Sequence, residues 1–230
     1  SRGLGDVYKR QLLERGYLTE YVNLIGQTVA LHSDKPYTYG GYHFAMLNTD
    51  EVNAFACPGG IIFITKGMMN ITRNEDELAA VLAHEIAHIS HRDGIASIKS
   101  ARWTEALAII GTEVAKQYGS AELARLVNIF EGAIDDVFKT LVVNGYSKSQ
   151  EYTADESAVA YLSKAGYNPL ALKDFFGQLI SYGRASKGGI LKTHPSTNDR
   201  LENISDKIPP TTVDSSLIQL RSARYKSVLY

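Results

Sequence analysis

The chain has 230 residues, 44% of them hydrophobic and 21% charged, an ordinary globular composition with ample length for a core in one domain or two small ones. Its 24 basic and 25 acidic residues give a formal net charge of -1 with no polybasic cluster, which argues against nucleic acid as a partner. A single cysteine, Cys57, excludes an intrachain disulfide framework and any multi-cysteine zinc site, and no apolar run approaches the roughly 18 residues of a membrane-spanning helix.

Residues 1–11 read SRGLGDVYKRQ and resemble the frame translation of a transposase adapter used in shotgun sequencing. The expectation is that they are not native and that residues 12–230 form a single domain. Apolar residues at Leu18, Val22, Ile25 and Val29, with Leu24 and Leu31 broadening the stripe, predict an amphipathic helix over 18–32. Pro36 and Gly40-Gly41 end that pattern, and Tyr42 to Leu47 reads as a strand. Val52 to Cys57 and Ile61 to Thr65 flank Pro58-Gly59-Gly60 and predict a hairpin. Everything after Lys66 has helical periodicity. Asn74 with Glu77 predicts a capping box opening a helix to about Arg92. Two further helices follow over 95–118 and 121–143. Ser147 and Gln150 repeat the capping spacing, and their helix stops at Gly166. Another runs from Pro169 to Tyr182, then a glycine-containing loop from Gly183 to Pro195, a helix from Thr197 to Ile208, and a weakly patterned tail. The class is α+β, mainly helical.

The chemistry begins at His84-Glu85-Ile86-Ala87-His88. Residues four apart lie one above the other on a helix, so both imidazoles can meet one Zn²⁺. Glu85, about 100° around, can reach a water as a general base without binding the metal. With 6 histidines and 13 glutamates in 230 residues, chance supplies about 0.01 such matches. A third protein ligand is needed. His91 rises about 4.5 Å further along the axis than His88 and so lies beyond the metal. A glycine-turned third histidine would stand at position 94, which is Gly94. Glu151 is the better candidate, at the start of a capped helix. Asp155, four residues on, can hydrogen-bond the far nitrogen of a ligand histidine.

Asn53-Ala54-Phe55-Ala56-Cys57-Pro58-Gly59-Gly60, His84 to His88, Glu151-x-x-Ala154-Asp155 and Thr193-His194-Pro195-Ser196 occur in one order. Over roughly Leu18 to Ile208, that series resembles the gluzincin metallopeptidase family containing HtpX, BepA, the Oma-type mitochondrial protease and the CAAX prenyl proteases. It is most similar to the non-spanning bacterial envelope branch. The resemblance implies a mainly helical zincin-like α+β domain with a small antiparallel sheet whose edge strand borders the active site. It also implies one Zn²⁺ on His84, His88 and Glu151, Glu85 as catalytic base, and Asp155 supporting a ligand histidine. Lys148 departs from the family, where arginine is common just before the ligand glutamate, which puts a supporting ion pair in doubt. Cys57 replaces a common leucine.

An edge strand at Asn53 to Ala56 could pair an extended peptide backbone, so Asn53 and Ala54 are candidate substrate-binding residues. His194 has three readings: a donor to the oxyanion, which is favoured; an occupant of the open metal position at rest; or a cap for the following helix. The resulting expectation is a zinc endopeptidase of the bacterial periplasm or cell envelope. It would act on unfolded or misassembled polypeptides, with peripheral membrane or envelope-complex association and no nucleic acid. The rival is a chaperone-like client-binding module whose zinc site is closed and structural. A prenyl-protein protease is disfavoured, because the sequence offers no membrane-spanning helices to handle a lipidated substrate.

Overall fold

The computed structural model describes residues 16–94, 145–185, 189–194, 196–210 and 213–229. The expectations for residues 1–11 and for helices over 95–118 and 121–143 lie outside the described residues. In chain order the elements are α1 (Gly16–Leu31), β1 (His43–Leu47), β2 (Ala54–Cys57), β3 (Ile61–Thr65), α2 (Lys66–Ile71) and α3 (Glu75–His91). After residue 145 come α4 (Lys148–Lys164), α5 (Leu170–Ala185), α6 (Ile190–Thr193), α7 (Thr197–Ser205) and α8 (Ser215–Leu229).

Helix α3 is the centre of the core. Its residues are buried from Glu75 to Ile89, as expected for a helix without a solvent face. Asn74 caps it, accepting from the Glu77 N–H at 2.9 Å, while the Glu77 carboxylate accepts from the Arg73 N–H rather than from Asn74 itself. Arg92, in the left-handed region at φ 61°, ends it. Helix α1 buries Leu18, Val22, Ile25 and Val29 as its spacing predicts, but Leu24 and Leu31 are exposed, so the apolar stripe is narrower than expected.

The sheet corrects the expectation of an antiparallel arrangement: it is mixed, in the order β1-β3-β2. The β2–β3 hairpin is antiparallel, with Ala54 opposite Ile64, but β3 returns alongside β1 and runs parallel to it, His43 opposite Ile61. The strand richest in β-branched residues, Ile61-Ile62-Phe63-Ile64-Thr65, takes the centre, with Ile62 and Ile64 fully buried. The outer edge of β1 is blocked by α1. Asn23 donates to the Phe44 carbonyl and accepts from its N–H, and Gln27 donates to the Tyr42 carbonyl. That leaves β2 as the other edge.

The C-terminal half follows its local signals with two corrections. Ser147 and Gln150 form the expected reciprocal capping box on α4. The expected loop from Gly183 to Pro195 is interrupted by structure: α5 continues to Ala185 and α6 forms a short helical turn. The tail, weakly patterned in sequence, contains the 15-residue helix α8, which buries Tyr225. The Tyr225 hydroxyl donates to the Met69 carbonyl, a long-range bond that no local pattern announces.

Candidate metal centre

Four elements meet at one point in the core. Helix α3 supplies His84 and His88, α4 supplies Glu151 from its first turn and Asp155 one turn later, α6 ends at His194, and α7 supplies Arg200. A carboxylate in a helix's first turn is favoured by the positive end of the dipole, which suits Glu151.

Ligand atoms of His84, His88, Glu151 and His194 lie within 4.8 Å of one another. His84 Nε2 is 3.1 Å from His88 Nε2 and 3.2 Å from His194 Nδ1, and His194 Nδ1 is 2.9 Å from Glu151 Oε1. Each of the α3 imidazole Nε2 atoms is 3.5 Å from a Glu151 oxygen. Four ligands at zinc bond lengths of 2.0–2.1 Å would stand about 3.3–3.4 Å apart at the corners of a tetrahedron. These separations are of that size, and the donor set suits a divalent metal.

The ring tautomers agree. His84 Nδ1 donates to Asp155 Oδ1 at 2.8 Å and His88 Nδ1 donates to Asp93 Oδ2 at 2.7 Å, which leaves both Nε2 lone pairs facing the cluster. Arg200, itself buried, forks onto the two carboxylates of α4: Nε and Nη2 reach Asp155 at 2.8 and 2.6 Å, and Nη1 reaches Glu151 Oε2 at 2.7 Å. Its guanidinium lies 4.7 Å from the centre of the Phe176 ring.

Burial opposes ionisation of Glu151 and Asp155, but the Arg200 charge overrules it. The Glu151 carboxyl is held well below the usual range, with His194 adding to the effect, and Asp155 is lowered too. Burial and Arg200 work against a charge on His84, yet Asp155 and Glu151 outweigh them and raise its pKa to about 9. Surroundings that favour a proton on these rings also favour a bound cation.

Glu85 is fully buried, and among the described residues neither carboxylate oxygen has a hydrogen-bond partner. Its Oε1 is 3.4 Å from His194 Nε2, which is likewise without a hydrogen-bond partner. Buried carboxylates are costly unless satisfied, so these atoms have hydrogen-bonding capacity that the described residues do not use.

The structure thus brings together His84, His88, Glu151, Asp155, Glu85 and His194. His91 stays outside the cluster, with Nε2 3.1 Å from Ser157 Oγ. Of the three readings of His194, its position suits the resting-state occupant best: Nδ1 lies among the ligand atoms, and the N-cap of α7 is Ser196. Two glycines hold it there. Gly189, at φ 55°, lets the backbone pass so close to β2 that a Cβ would sit 2.3 Å from the Val52 carbonyl oxygen. At Gly145, φ 65°, a Cβ would be 2.5 Å from the Thr193 oxygen.

The expected substrate residues divide. Asn53 accepts through its carbonyl from the Thr65 N–H, donates its own N–H to Thr65 Oγ1, and accepts from Thr193 Oγ1 through Oδ1, so its backbone groups are occupied internally. By antiparallel alternation Phe55 then pairs with Phe63, and the N–H and C=O of Ala54 and Ala56 point away from β3. Ala54 keeps its candidacy, and Ala56 joins it.

Three residues at the site were missed. Arg200 sits with Thr197 and Ile204 on the buried face of α7, so an arginine on an apolar stripe was the available signal. It fills the supporting role that Lys148 does not, since Lys148 is half-exposed and pairs with Asp199 at 2.6 Å. Asp93 lies five residues after His88, beyond the helix end. Tyr146 stacks on His88 with ring centres 3.7 Å apart, from a segment distant in sequence.

The sequence profile of Peptidase family M48 matches residues 17–208. The chain is 29% identical to the beta-barrel assembly-enhancing protease of Escherichia coli, across 93% of this chain and 45% of that protein. It is 25% identical to metalloprotease LoiP of Escherichia coli, across 83% and 69% respectively. It is 28% identical to the mitochondrial metalloendopeptidase OMA1 of Schizosaccharomyces pombe, across 70% and 45%. The chain therefore spans under half the length of the first of these relatives.

Proposed function

Because the chain belongs to peptidase family M48, we propose that it is a zinc-dependent endopeptidase in which His84, His88 and Glu151 hold the metal, Glu85 is the base and Asp155 orients His84. The observation that carries this reading is Glu85: a buried carboxylate beside the ligand cluster with no partner among the described residues. A structural metal site needs no such group. Bound at this donor set, Zn²⁺ supplies a Lewis acid that polarises a peptide carbonyl and acidifies water. Glu85 accepts the proton of the attacking water and returns it to the leaving amine. Asp155 fixes the His84 ring, and Arg200 keeps Glu151 and Asp155 ionised.

With Nδ1 of His194 among the ligand atoms, this arrangement is a closed resting state, and substrate enters after His194 withdraws. The same four-donor geometry favours a second reading, a client-binding module with a closed structural zinc. His194→Ala separates them. The peptidase reading expects metal retained by three ligands and faster peptide hydrolysis. The module reading expects metal loss and a lower Tm without hydrolysis. Metal analysis beside casein digestion, with Glu85→Gln as control, tests the reading as a whole.

The substrates we infer are unfolded or misassembled polypeptides of the bacterial periplasm or envelope, with association to envelope complexes. Similarity to a beta-barrel assembly-enhancing protease supports this. Residues 12–230 are read as one metallopeptidase domain and 1–11 as adapter translation, so deleting 1–11 should leave Tm and hydrolysis unchanged.

A further inference from the structure

A cavity of about 220 Å³ opens beside the metal centre, between the loop preceding β1, the β2–β3 turn and the end of α3. His88 and Tyr146 form its wall toward the ligand cluster, and Ala56 and Cys57 of the edge strand form another. A water-sized probe needs only about 10–15 Å³, so the space takes an amino-acid side chain together with water.

Its charge is one-sided. Lys35 and Arg92 line the cavity, and among the described residues no carboxylate does. Among the described residues neither cation is paired with an acid, whereas Lys66, Lys148 and Lys164 each have a carboxylate partner. Asp93, next to Arg92 in sequence, is turned inward onto His88. The strand direction fixes which part of a peptide would reach this place. β2 starts at Ala54, beside Asn53 and its bond to Thr193, and runs toward Ala56 and Cys57 at the cavity. A peptide added antiparallel to the outer edge of β2, which no other described strand pairs, runs the other way, so its N-terminal part lies over Ala56 and Cys57.

We propose that this cavity is a side-chain pocket of the substrate site and selects Asp or Glu on the N-terminal side of the cut bond, through Lys35 and Arg92. The inference rests on the peptidase reading above. A guanidinium without an acid partner among the described residues favours a carboxylate; Arg92 is exposed and Lys35 half-buried, so their attraction is of moderate, salt-dependent strength.

Two measurements test it. Denatured casein is digested by the metal-loaded chain and the cut sites are mapped by mass spectrometry. Asp and Glu should be enriched roughly three- to tenfold at one position within three residues N-terminal of the cut. Lys35→Glu and Arg92→Glu, each verified as folded by circular dichroism and as metal-loaded, should abolish that enrichment and move it toward Lys and Arg. The second measurement needs no turnover: anisotropy of fluorescent, unstructured peptides identical except for a central Glu, Gln or Lys run, binding to metal-loaded Glu85→Gln protein. The Glu peptide should bind tightest, and Lys35→Glu should reverse the order. Charge-selective binding without digestion by the wild-type chain supports the pocket while the peptidase reading falls. Digestion without acidic enrichment, or a preference unmoved in both variants, overturns the pocket.

Discussion

The two ends of α3 bury charge in different ways. At its start, the Glu75 carboxylate is surrounded: it accepts from the Tyr21 hydroxyl at 2.7 Å, from the Tyr167 hydroxyl at 3.2 Å and from both faces of the Arg224 fork. Asp76 accepts from the Asn168 N–H at 2.8 Å, with Arg221 3.4 Å away. Three turns later Glu85 is equally buried and has no such company among the described residues. Buried charge by itself therefore does not mark a site. The start of α3 uses charge to fasten α1, the segment after α4, and α8 to the core, whereas the end of α3 keeps hydrogen-bonding capacity open beside a cluster of ligand atoms. Function is read from what is left unpaired.

That contrast can be broken by substitution. Glu85→Gln should lower casein hydrolysis by roughly 10²–10⁴-fold, the scale of a general base. Metal content should be kept, and Tm should stand at or above that of wild type, because a buried charge without a partner is removed. Metal analysis and calorimetry beside a digestion assay check all three, and hydrolysis within a few-fold of wild type would overturn the role of Glu85. Glu75→Ala should do the opposite. Leaving two buried tyrosine hydroxyls without their acceptor should destabilise by about 2–4 kcal/mol, read from denaturant unfolding, with metal stoichiometry unchanged in the folded fraction.

Smaller changes sharpen the comparison. Asp155→Asn removes the charge behind His84 and should weaken metal affinity about 10- to 100-fold in a chelator competition, with less effect on Tm than Glu75→Ala. His91→Ala should alter stability by less than about 0.5 kcal/mol and leave metal affinity as it was, since its ring meets Ser157 rather than the cluster. Metal loss from His91→Ala with full metal in Glu151→Ala would refute the ligand set.

How much of this was legible in the sequence follows the range of the forces involved. The paired histidines, the α4 capping box and the β2–β3 hairpin rest on contacts within a few residues, and spacing revealed them. Arg200 reaches Asp155 across 45 positions and Tyr225 reaches Met69 across 156, and no periodicity encodes such meetings. The parallel pairing of β1 with β3 was missed for the same reason: the hairpin signal fixes the two strands it joins and is silent about which one a third strand meets. His194 was recognised as important, but its position depends on Gly189 and Gly145 approaching carbonyls of other segments, so its place could not be chosen from the three readings.

His194 is fastened through its backbone as well as its ring. Its N–H donates to the Ile190 carbonyl at 2.7 Å. The Ile190 N–H donates to Val52 at 2.8 Å, and the Thr193 carbonyl accepts from Tyr146. Side chains on a surface change rotamer in picoseconds to nanoseconds, but a buried ring on a segment laced to two neighbours moves with that segment, on the microsecond-to-millisecond scale. In the proposed peptidase, opening of the centre is therefore a matter of time as well as of affinity, because His194 withdraws only as fast as α6 moves.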